Sequence, residues 1–530
     1  MIYIYIAIKI KDKMIMVLTL AGPGSGKTTD MVKQIINNME FLDMNREMAI
    51  ITYTNASVED IKSKLMCDVS ISPNVFIGTI HSFLVRYFIK PYAVNIGYKS
   101  NPVMIVDEFS NAGLEWVEAW VKRKYPNSAR NERKNREKGM IQNRRNRAIQ
   151  AAAKKGIYTY DGIIKISREL SGEKEIMQSV GNKLQFLYID EYQDISRYGH
   201  DIILKIEKAR HTQIYVVGDP DQSIYRFRYG NSQISEKAPA GTKQPLRELM
   251  SMDDVKCPKR RLLVNYRSAE EIVSFINQYA TLEDQKAENG SVCKIQYISS
   301  DKAEDIAAKF DKVCEIYQCE TKLIVAKNND TLQKFCNFVL KGNVEENKKL
   351  KDSKCIQDFI ISSSGLNYDA FMEAYDFSPF QLKKIVVGIR RILRKNPQLD
   401  ILKIAAALSK KLYGKKIAFS DSNYFDDKGK IQNYNFSFID DEEISDDKKI
   451  RLLTIHKSKG LEADGVLVIA ENRKQFFKWL NMKRDDLKNE KDEEYRLGYV
   501  AFSRAKRVLA LACLEKIDFT ELRKDIFEEI

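Results

Sequence analysis

An apolar run at residues 15–20 leads directly into the sequence AGPGSGKT at residues 21–28, and this junction constrains the fold of the chain more than any other feature. The sequence matches the phosphate-binding loop G-x-x-x-x-G-K-[ST], with Ala21 in place of the first glycine. Gly24 and Gly26 allow backbone N–H groups to approach a polyphosphate at the N-terminus of the helix that the next residues predict. Strand, loop and helix in this order predict an α/β core that binds a nucleoside triphosphate.

The side chains of this loop have separate expected roles. Lys27 reaches the β- and γ-phosphates, and the Thr28 hydroxyl is a ligand for Mg²⁺. The residues predicted to surround the nucleotide phosphates are Ala21, Gly22, Pro23, Gly24, Ser25, Gly26, Lys27, Thr28 and Thr29.

A second segment supplies the carboxylates that hydrolysis requires. The apolar strand at residues 186–189 ends in DEYQD, in which Asp190 is placed to hold Mg²⁺ through water and Glu191 to act as general base toward the attacking water. Asp107-Glu108 also follows an apolar run, but it lacks the Gln-Asp continuation and the GDPDQS segment downstream. We therefore interpret Asp107-Glu108 as the surface end of a strand.

The spacing of these segments predicts several domains. Asp190 lies 163 positions after Lys27, too far for a minimal nucleotide-binding core, and 530 residues exceed one hydrophobic core. Helical patterns at 368–375, 381–393 and 399–412 indicate a second insertion. The predicted ranges are 1–96 and 183–252 for the first core, 97–182 for a basic helical insertion, 253–329 and 449–530 for the second core, and 330–448 for a short second insertion.

The charge of the chain indicates a polyanionic partner, because the net charge is +14 and the pI is about 9.1. Residues 122–155 contain thirteen Lys or Arg against two Glu. This run is either a solvated charged helix or a surface that contacts nucleic-acid phosphates. On the second interpretation, the candidate DNA contacts are Arg144, Arg145 and Arg147.

The second half of the chain completes a set of ordered motifs. Two of its arginines, Arg267 and Arg504, make sense if they point at the γ-phosphate from a second domain and stabilise transition-state charge. The eight blocks, in order, are AGPGSGKT, TYTNASVEDIKSKL, GTIHSF, DEYQD, GDPDQSIYRFRYG, NYRS, TIHKSKGLE and EYRLGYVAFSRA. On these motifs the chain resembles the UvrD/Rep-type superfamily 1 DNA helicases along nearly its whole length.

The resemblance implies an α/β fold of two RecA-like parallel-sheet cores with two mainly helical inserted subdomains. It also implies an ATP-dependent, Mg²⁺-requiring helicase that moves 3′ to 5′ on single-stranded DNA. If residues 122–155 contact phosphates, we expect them to bind the duplex ahead of the fork, so that forked DNA is also a partner. The implied nucleotide contacts are Gln222, Arg267 and Arg504 at the γ-phosphate, Tyr266 on adenine and Glu462 on the ribose. The implied contacts with single-stranded DNA are Tyr53, Thr54, Asn55, His81, Phe227 and His456.

Three departures from the family pattern affect these expectations. No glutamine precedes the phosphate loop, so recognition of the base rests on stacking by Tyr266, which tolerates any base. Phe227 stands where tryptophan is usual. Its ring can still stack on a nucleobase, but with a smaller contact area. Tyr495 stands where a second arginine is common, so we expect Arg496 and Arg504 to supply the positive charge at this end of the nucleotide site.

Composition also bears on the cellular setting. Eight cysteines form no C-x-x-C pair and no cluster of zinc spacing, which is typical of reduced thiols in a cytoplasmic protein. The N-terminal run lacks a basic start and a cleavage site, and no apolar stretch is long enough to span a membrane. We expect a cytoplasmic protein with no membrane partner.

Three biological roles remain open at this point. The chain is a stand-alone repair or replication-restart helicase, or a defence motor with a separate nuclease, since it more loosely resembles the small UvrD-like subunit of Gabija-type antiphage systems. The third role is a DNA-end-sensing ATPase switch that recruits partners without unwinding. Only twenty-five residues follow Ala505, so we expect no fused nuclease domain there.

Overall fold

The computed structural model describes residues 16–101, 103–106, 130–224, 244–340, 353–364, 366, 368–395, 400–419, 450–488 and 492–530. Asp107, Glu108 and Phe227 lie outside these residues. The strands are β1 (Met16–Ala21), β2 (Glu47–Thr52), β3 (Val75–Thr79), β4 (Met104–Val106), β5 (Ile157–Thr159), β6 (Leu184–Ile189), β7 (Gln213–Gly218), β8 (Lys259–Leu262), β9 (Val264–Asn265), β10 (Lys286–Ala287), β11 (Ile295–Ile298), β12 (Lys322–Ala326), β13 (Ile450–Thr454), β14 (Ala463–Ala470), β15 (Ala505–Cys513) and β16 (Phe527–Glu529).

Helices connect most of these strands. The α-helices are α1 (Lys27–Met39), α2 (Asn55–Asp68), α3 (Ile80–Leu84), α4 (Lys90–Tyr92), α5 (Arg130–Ala153), α6 (Tyr160–Leu170), α7 (Lys174–Lys183), α8 (Arg197–Ala209), α9 (Pro245–Met250), α10 (Glu270–Asn277), α11 (Ala303–Ile316), α12 (Asn329–Leu340), α13 (Ser353–Ser363), α14 (Tyr368–Ala374), α15 (Pro379–Lys395), α16 (Ile401–Tyr413), α17 (Ile455–Ser458), α18 (Arg473–Leu480) and α19 (Glu494–Phe502). A π-helical segment (Val85–Ile89) lies between α3 and α4, and short 3₁₀ turns occur at Ala93–Ile96, Tyr192–Asp194, Pro220–Gln222, Arg484–Lys488 and Phe519–Glu521.

The first sheet contains six parallel strands in the order β3-β2-β6-β7-β1-β8. Strands of such a sheet are apolar throughout because both faces are covered, and every residue of β1 is buried. Since β6, β7 and β1 are neighbours, the segments DEYQD, GDPDQS and AGPGSGKT all emerge at one edge of the sheet. In open parallel sheets, ligands bind at this carboxyl edge.

Strand β8 corrects one boundary of the sequence analysis. We predicted that the second core begins near residue 253, yet β8 pairs with β1, with Leu18 opposite Lys259 and Ala21 opposite Leu262. The pairing satisfies backbone groups on the outer side of β1, which would otherwise be an open edge. The first sheet therefore extends to Leu262, two residues before β9.

The second sheet repeats the architecture of the first. Its six parallel strands have the order β13-β12-β14-β15-β11-β16. TIHKSKGLE follows β13 at its C-terminal end, and Arg504 directly precedes β15. Two parallel-sheet α/β cores are present, which confirms the fold class predicted from the sequence.

The remaining helices form two further groups. In the first insertion, α6 packs against α3 and α8, while β4 and β5 make a separate two-stranded sheet. The helices α13 to α16 form a compact unit of their own around buried residues such as Phe359, Phe371, Ile385 and Ile389. Helices α14, α15 and α16 lie where the hydrophobic periodicity predicted them. Among the described helices, none has the length and apolarity needed to cross a bilayer.

Candidate nucleotide site and DNA-facing residues

The phosphate loop has the backbone shape that an anion requires. Gly24 and Gly26 have φ values of 70° and 72°, in the left-handed region that favours glycine, and Gly26 directly precedes α1. Lys27 Nζ donates to the carbonyls of Ala21 at 3.3 Å and Gly22 at 3.1 Å. A loop of N–H groups, a helix N-terminus and an ammonium therefore converge, and this set suits a polyphosphate.

The other residues of the loop are arranged around this cradle. Ser25 is buried, and its hydroxyl donates to the Gly22 carbonyl at 2.7 Å. Thr28 is half-buried in the first turn of α1, and Thr29 is exposed. If Mg²⁺ binds, Thr28 and Asp190 are the oxygen donors that would hold it, and the metal would neutralise phosphate charge there.

The two carboxylates of DEYQD lie in different electrostatic environments. Burial and the neighbouring Glu191 raise the pKa of Asp190 to about 7, although Asp190 Oδ1 accepts from Glu191 N at 2.9 Å. Burial also raises the pKa of Glu191, but Lys459 and Lys27 outweigh it and leave that pKa below its ordinary value. Glu191 is thus held as an anion, the form that a general base needs.

The backbone at Glu191 is strained. Its φ is 50°, a left-handed conformation that is uncommon for a residue with a side chain. The carboxylate also accepts a short hydrogen bond from Gln193 Nε2, while Gln193 Oε1 accepts from Asp219 N at 3.0 Å. Strain of this kind persists only where the surroundings enforce it, and it is concentrated at functional sites.

Gln222 connects the first core to Arg504 of the second. Arg504 Nη2 donates to Gln222 Oε1 at 3.0 Å, and Gln222 Nε2 donates to Asp219 Oδ2 at 2.7 Å. Arg504 is 2 % exposed, and burial lowers its pKa to about 9. The buried guanidinium remains a cation at neutral pH and is in contact with the residue expected to sense the γ-phosphate.

Arg267 and Glu462 are brought together from distant parts of the second core. Arg267 Nε lies 2.5 Å from Glu462 Oε2, and Arg267 Nη1 donates to the Ser503 carbonyl at 3.1 Å. Lys506 Nζ lies 3.0 Å from the other Glu462 oxygen. Burial raises the pKa of Glu462, but these cations hold it below its ordinary value. The carboxylate that the resemblance assigned to the ribose is here paired with two cations.

Tyr266 remains open to solvent beside the phosphate loop. Its side chain is 60 % exposed, and a Cβ placed on Gly26 would lie 3.6 Å from the ring. Its backbone N–H donates to the Gly24 carbonyl at 2.9 Å, which fixes the ring next to the loop. An exposed ring held in this way is suited to stack on a nucleobase.

The residues predicted to face DNA are only partly brought together. Tyr53, Thr54 and Asn55 follow β2, and His81 follows the neighbouring β3, so both groups lie at the carboxyl edge of the first sheet. Thr54 caps α2 by accepting from Ser57 N at 3.1 Å. Asn55 is exposed.

His81 and His456 differ in their surroundings. The His81 ring meets Tyr160 edge to face at 4.8 Å, and burial lowers the pKa of His81 to about 4, so the ring is neutral. His456 Nε2 lies 3.8 Å from Glu493 Oε1. Arg147 is exposed on α5, whereas the side chains of Arg144 and Arg145 lie outside the described residues.

Comparison with known proteins agrees with this geometry. A model of the AAA domain matches residues 5–228, and a model of the UvrD-like helicase C-terminal domain matches residues 429–516. The chain belongs to the UvrD-like helicases. It is therefore an enzyme, an ATP-dependent DNA helicase.

Relatives of this UvrD-like helicase match along most of their length. A probable DNA helicase II homolog of Mycoplasma pneumoniae is 22 % identical over 93 % of this chain and 81 % of its own. The Gabija protein GajB of Bacillus cereus is 22 % identical over 85 % of this chain and 86 % of its own. The ATP-dependent DNA helicase PcrA of Staphylococcus aureus is 21 % identical over 92 % of this chain and 80 % of its own.

One contact between the cores of this UvrD-like helicase was not predicted from the sequence. Lys459 of TIHKSKGLE forms a short ion pair with Asp194 of DEYQD, and its ammonium also donates to the Gln222 carbonyl at 2.6 Å. The two side chains are 5 % and 1 % exposed. Both residues stood in quoted motifs, but nothing in either motif indicated the partner in the other.

Asn265 was also assigned no function. Its Nδ2 donates to the Pro23 carbonyl at 2.9 Å, and its Oδ1 accepts from the backbone N–H groups of Arg267 and Ser268 at 2.9 Å and 3.0 Å. Asn265 thus joins the phosphate loop to the segment that carries Tyr266 and Arg267. The only indication of this role in the sequence was that Asn265 is the first residue of the NYRS motif.

Proposed function

We propose that this UvrD-like helicase is a translocase that moves along single-stranded DNA by opening and closing the cleft between its cores with each ATP. The observation that carries the proposal is the contact of Arg504 with Gln222, because a cation of the second core then faces the nucleotide site of the first. Bound ATP would bring negative charge into the site, and Lys27, Arg267 and Arg504 would all contact its phosphates. Thr28 and Asp190 would hold the accompanying Mg²⁺. Hydrolysis and phosphate release remove this charge and let the cleft reopen.

For the protein to move along DNA, each core must bind the single strand, and its affinity for the strand must change when the cleft opens or closes. Tyr53 and His81 on the first core, together with Phe227 and His456, are the residues that we propose to line the single strand, with aromatic rings that stack on bases. The 3′-to-5′ direction rests on family resemblance alone. The basic residues 122–155 would contact the duplex ahead of a fork.

Strand displacement tests this proposal. Duplexes with a 3′ tail, a 5′ tail or no tail are incubated with the protein, with and without ATP. We expect displacement only of the 3′-tailed duplex and only with ATP. DNA-stimulated ATP turnover without any displacement would favour the alternative, a DNA-end-sensing ATPase switch that recruits a partner.

The biological role that we favour is antiphage defence with a separate nuclease, and repair is the second candidate. The match to GajB covers nearly equal shares of the two chains, 85 % of this one and 86 % of that protein, whereas the matches to the helicase II homolog and PcrA cover 93 % and 92 % of this chain but 81 % and 80 % of theirs. In length, this chain is therefore more similar to GajB. Co-purification with the product of an adjacent nuclease gene would support the defence role. Rescue of a repair-deficient strain by the isolated chain would support repair.

A further inference from the structure

Gln285 lies between the second core and the phosphate loop, outside every motif quoted above. It is 8 % exposed and directly precedes β10. Asn277 fixes its main chain on both sides, because Gln285 N donates to Asn277 Oδ1 at 3.0 Å and the Gln285 carbonyl accepts from Asn277 Nδ2 at 2.8 Å. The position of this side chain is therefore determined by the end of α10.

The Gln285 carboxamide rests directly on Gly22. A Cβ placed on Gly22 would lie 2.8 Å from both Cδ and Oε1 of Gln285 and 3.1 Å from its Nε2, so any side chain at this position would displace the carboxamide. Asn265 Nδ2 donates to the Pro23 carbonyl at 2.9 Å and reaches Gln285 Oε1 at 3.4 Å. Two amides of the second core thus cover the outer side of the loop.

One donor of this arrangement has no acceptor. Gln285 Nε2 is buried and makes no hydrogen bond to any of the described residues. A buried amide N–H without a partner is costly, and such a group in a native structure requires an explanation, of which a functional role is one. Gln285 Nε2 lies close to Gly22. The Gly22 carbonyl already accepts hydrogen bonds from Lys27 Nζ at 3.1 Å and Ser25 Oγ at 2.7 Å.

We propose that Gln285 is a positioning residue of the nucleotide site. When Lys27 turns to the phosphates, it releases the carbonyls of Ala21 and Gly22, and Gln285 Nε2 takes over the Gly22 carbonyl. The second core then holds the loop in the shape that binds the triphosphate. This inference rests on the proposed function only in assuming that Lys27 binds the phosphates of ATP.

Nucleotide binding to the full-length Gln285→Met variant tests the proposal, because methionine keeps the length and removes both polar atoms. The loss of one hydrogen bond should raise the Kd for a fluorescent ATP analogue about three- to tenfold, measured without DNA. KM for ATP should rise by a similar factor while kcat stays within about twofold, because the bond is present in ground and transition states alike. Gln278→Met, at an exposed glutamine directly after the same helix, is the matched control and should change neither value.

Thermal melting without nucleotide separates positioning from packing. Gln285→Met should leave Tm unchanged or raised in the wild-type background, since the donor has no partner there. In a Lys27→Met background the Gly22 carbonyl keeps its bond from Ser25 Oγ but loses the one from Lys27 Nζ. Gln285 Nε2 can then donate to it, so Gln285→Met should now lower Tm. An unchanged Kd, or an equal fall of Tm in both backgrounds, would overturn the proposal. A wild-type protein that fails to bind ATP would instead contradict the proposed function.

Discussion

Lys459 of the second core is ion-paired with Asp194 of the first, and the pair is almost completely buried. The same ammonium donates to the Gln222 carbonyl, so one cation touches both DEYQD and the segment that follows β7. Lys459 is also the cation that contributes most to lowering the pKa of Glu191. The charge of the proposed general base therefore depends on whether the second core is in place.

Removal of Lys459 should destabilise the protein in a pH-dependent way. Lys459→Met leaves Asp194 buried without its cation, which costs about 3–5 kcal/mol when the carboxylate is charged. Burial raises the pKa of Asp194 to about 7 even with Lys459 in place, so well below that pH the carboxyl is protonated in both folded proteins and the cost is smaller. Urea unfolding at about pH 8 and about pH 5 measures the difference. Adding Asp194→Asn should recover most of the loss at the higher pH; equal losses at both pH values would contradict this account.

Lys27→Ala and Glu191→Gln should both abolish DNA-stimulated ATP hydrolysis, for different reasons. Lys27→Ala removes a phosphate contact, so ATP binding also weakens. Glu191→Gln keeps the shape of the side chain and removes the base, so hydrolysis should fall by at least about 100-fold while the Kd for ATP stays within a few-fold. Undiminished turnover in Glu191→Gln would show that another group activates the water.

Asp190→Asn should stabilise the nucleotide-free protein at high pH only. The folded pKa of Asp190 is raised from 3.8 to about 7, so the folded state binds the proton more tightly than the unfolded chain. The associated stability is present at low pH and is lost as pH rises toward 7, by up to about 4 kcal/mol. Asparagine cannot ionise, so the variant should match wild type near pH 4 and melt at a higher temperature near pH 8. A constant difference in Tm across this range would refute the linkage.

Discrimination between ATP and GTP should be weak. Tyr266 is the expected base contact, and stacking carries little hydrogen-bond information, so kcat/KM for the two nucleotides should differ by less than about tenfold. Hydrolysis assays with each nucleotide at saturating single-stranded DNA measure the ratio. A preference for ATP of several hundred-fold would show that a polar residue reads the adenine edge.

The basic segment should contribute to fork binding without affecting the motor. Replacing Arg144, Arg145 and Arg147 by alanine removes three cations, so the slope of log Kd against log salt for forked DNA should fall by roughly three units. Hydrolysis stimulated by a short single strand should hardly change. An unchanged slope would identify a solvated helix, and equal loss on single strands and forks would place the arginines in the translocation groove.

The parts of the fold that sequence predicted are those encoded in contiguous residues. The phosphate loop and DEYQD each combine an apolar run with a local polar signal, and the two-core α/β class predicted from the ordered motifs is confirmed. The contact between Lys459 and Asp194 joins residues 265 positions apart, and no local pattern specifies it. Gln285 was missed for the same reason, since its importance lies in what it touches. Strand β8 has only four residues, too few for a clear sequence pattern. Its assignment to the first sheet depends on its pairing with the open edge of β1, which the sequence does not reveal.

The pairing of β8 with β1 limits how the two cores can separate. Leu262 ends the strand beside the phosphate loop, and Tyr266 follows four residues later, a span of about 14 Å when fully extended. Tyr266 and Arg267 are thus tethered to the sheet that carries the loop, whereas Arg504 and Lys459 arrive from the far end of the sequence. If the cleft opens, we expect the second core to rotate about this short connection. We expect the Tyr266 ring to stay close to the phosphate loop during such an opening, while Lys459 and Arg504 move away from it.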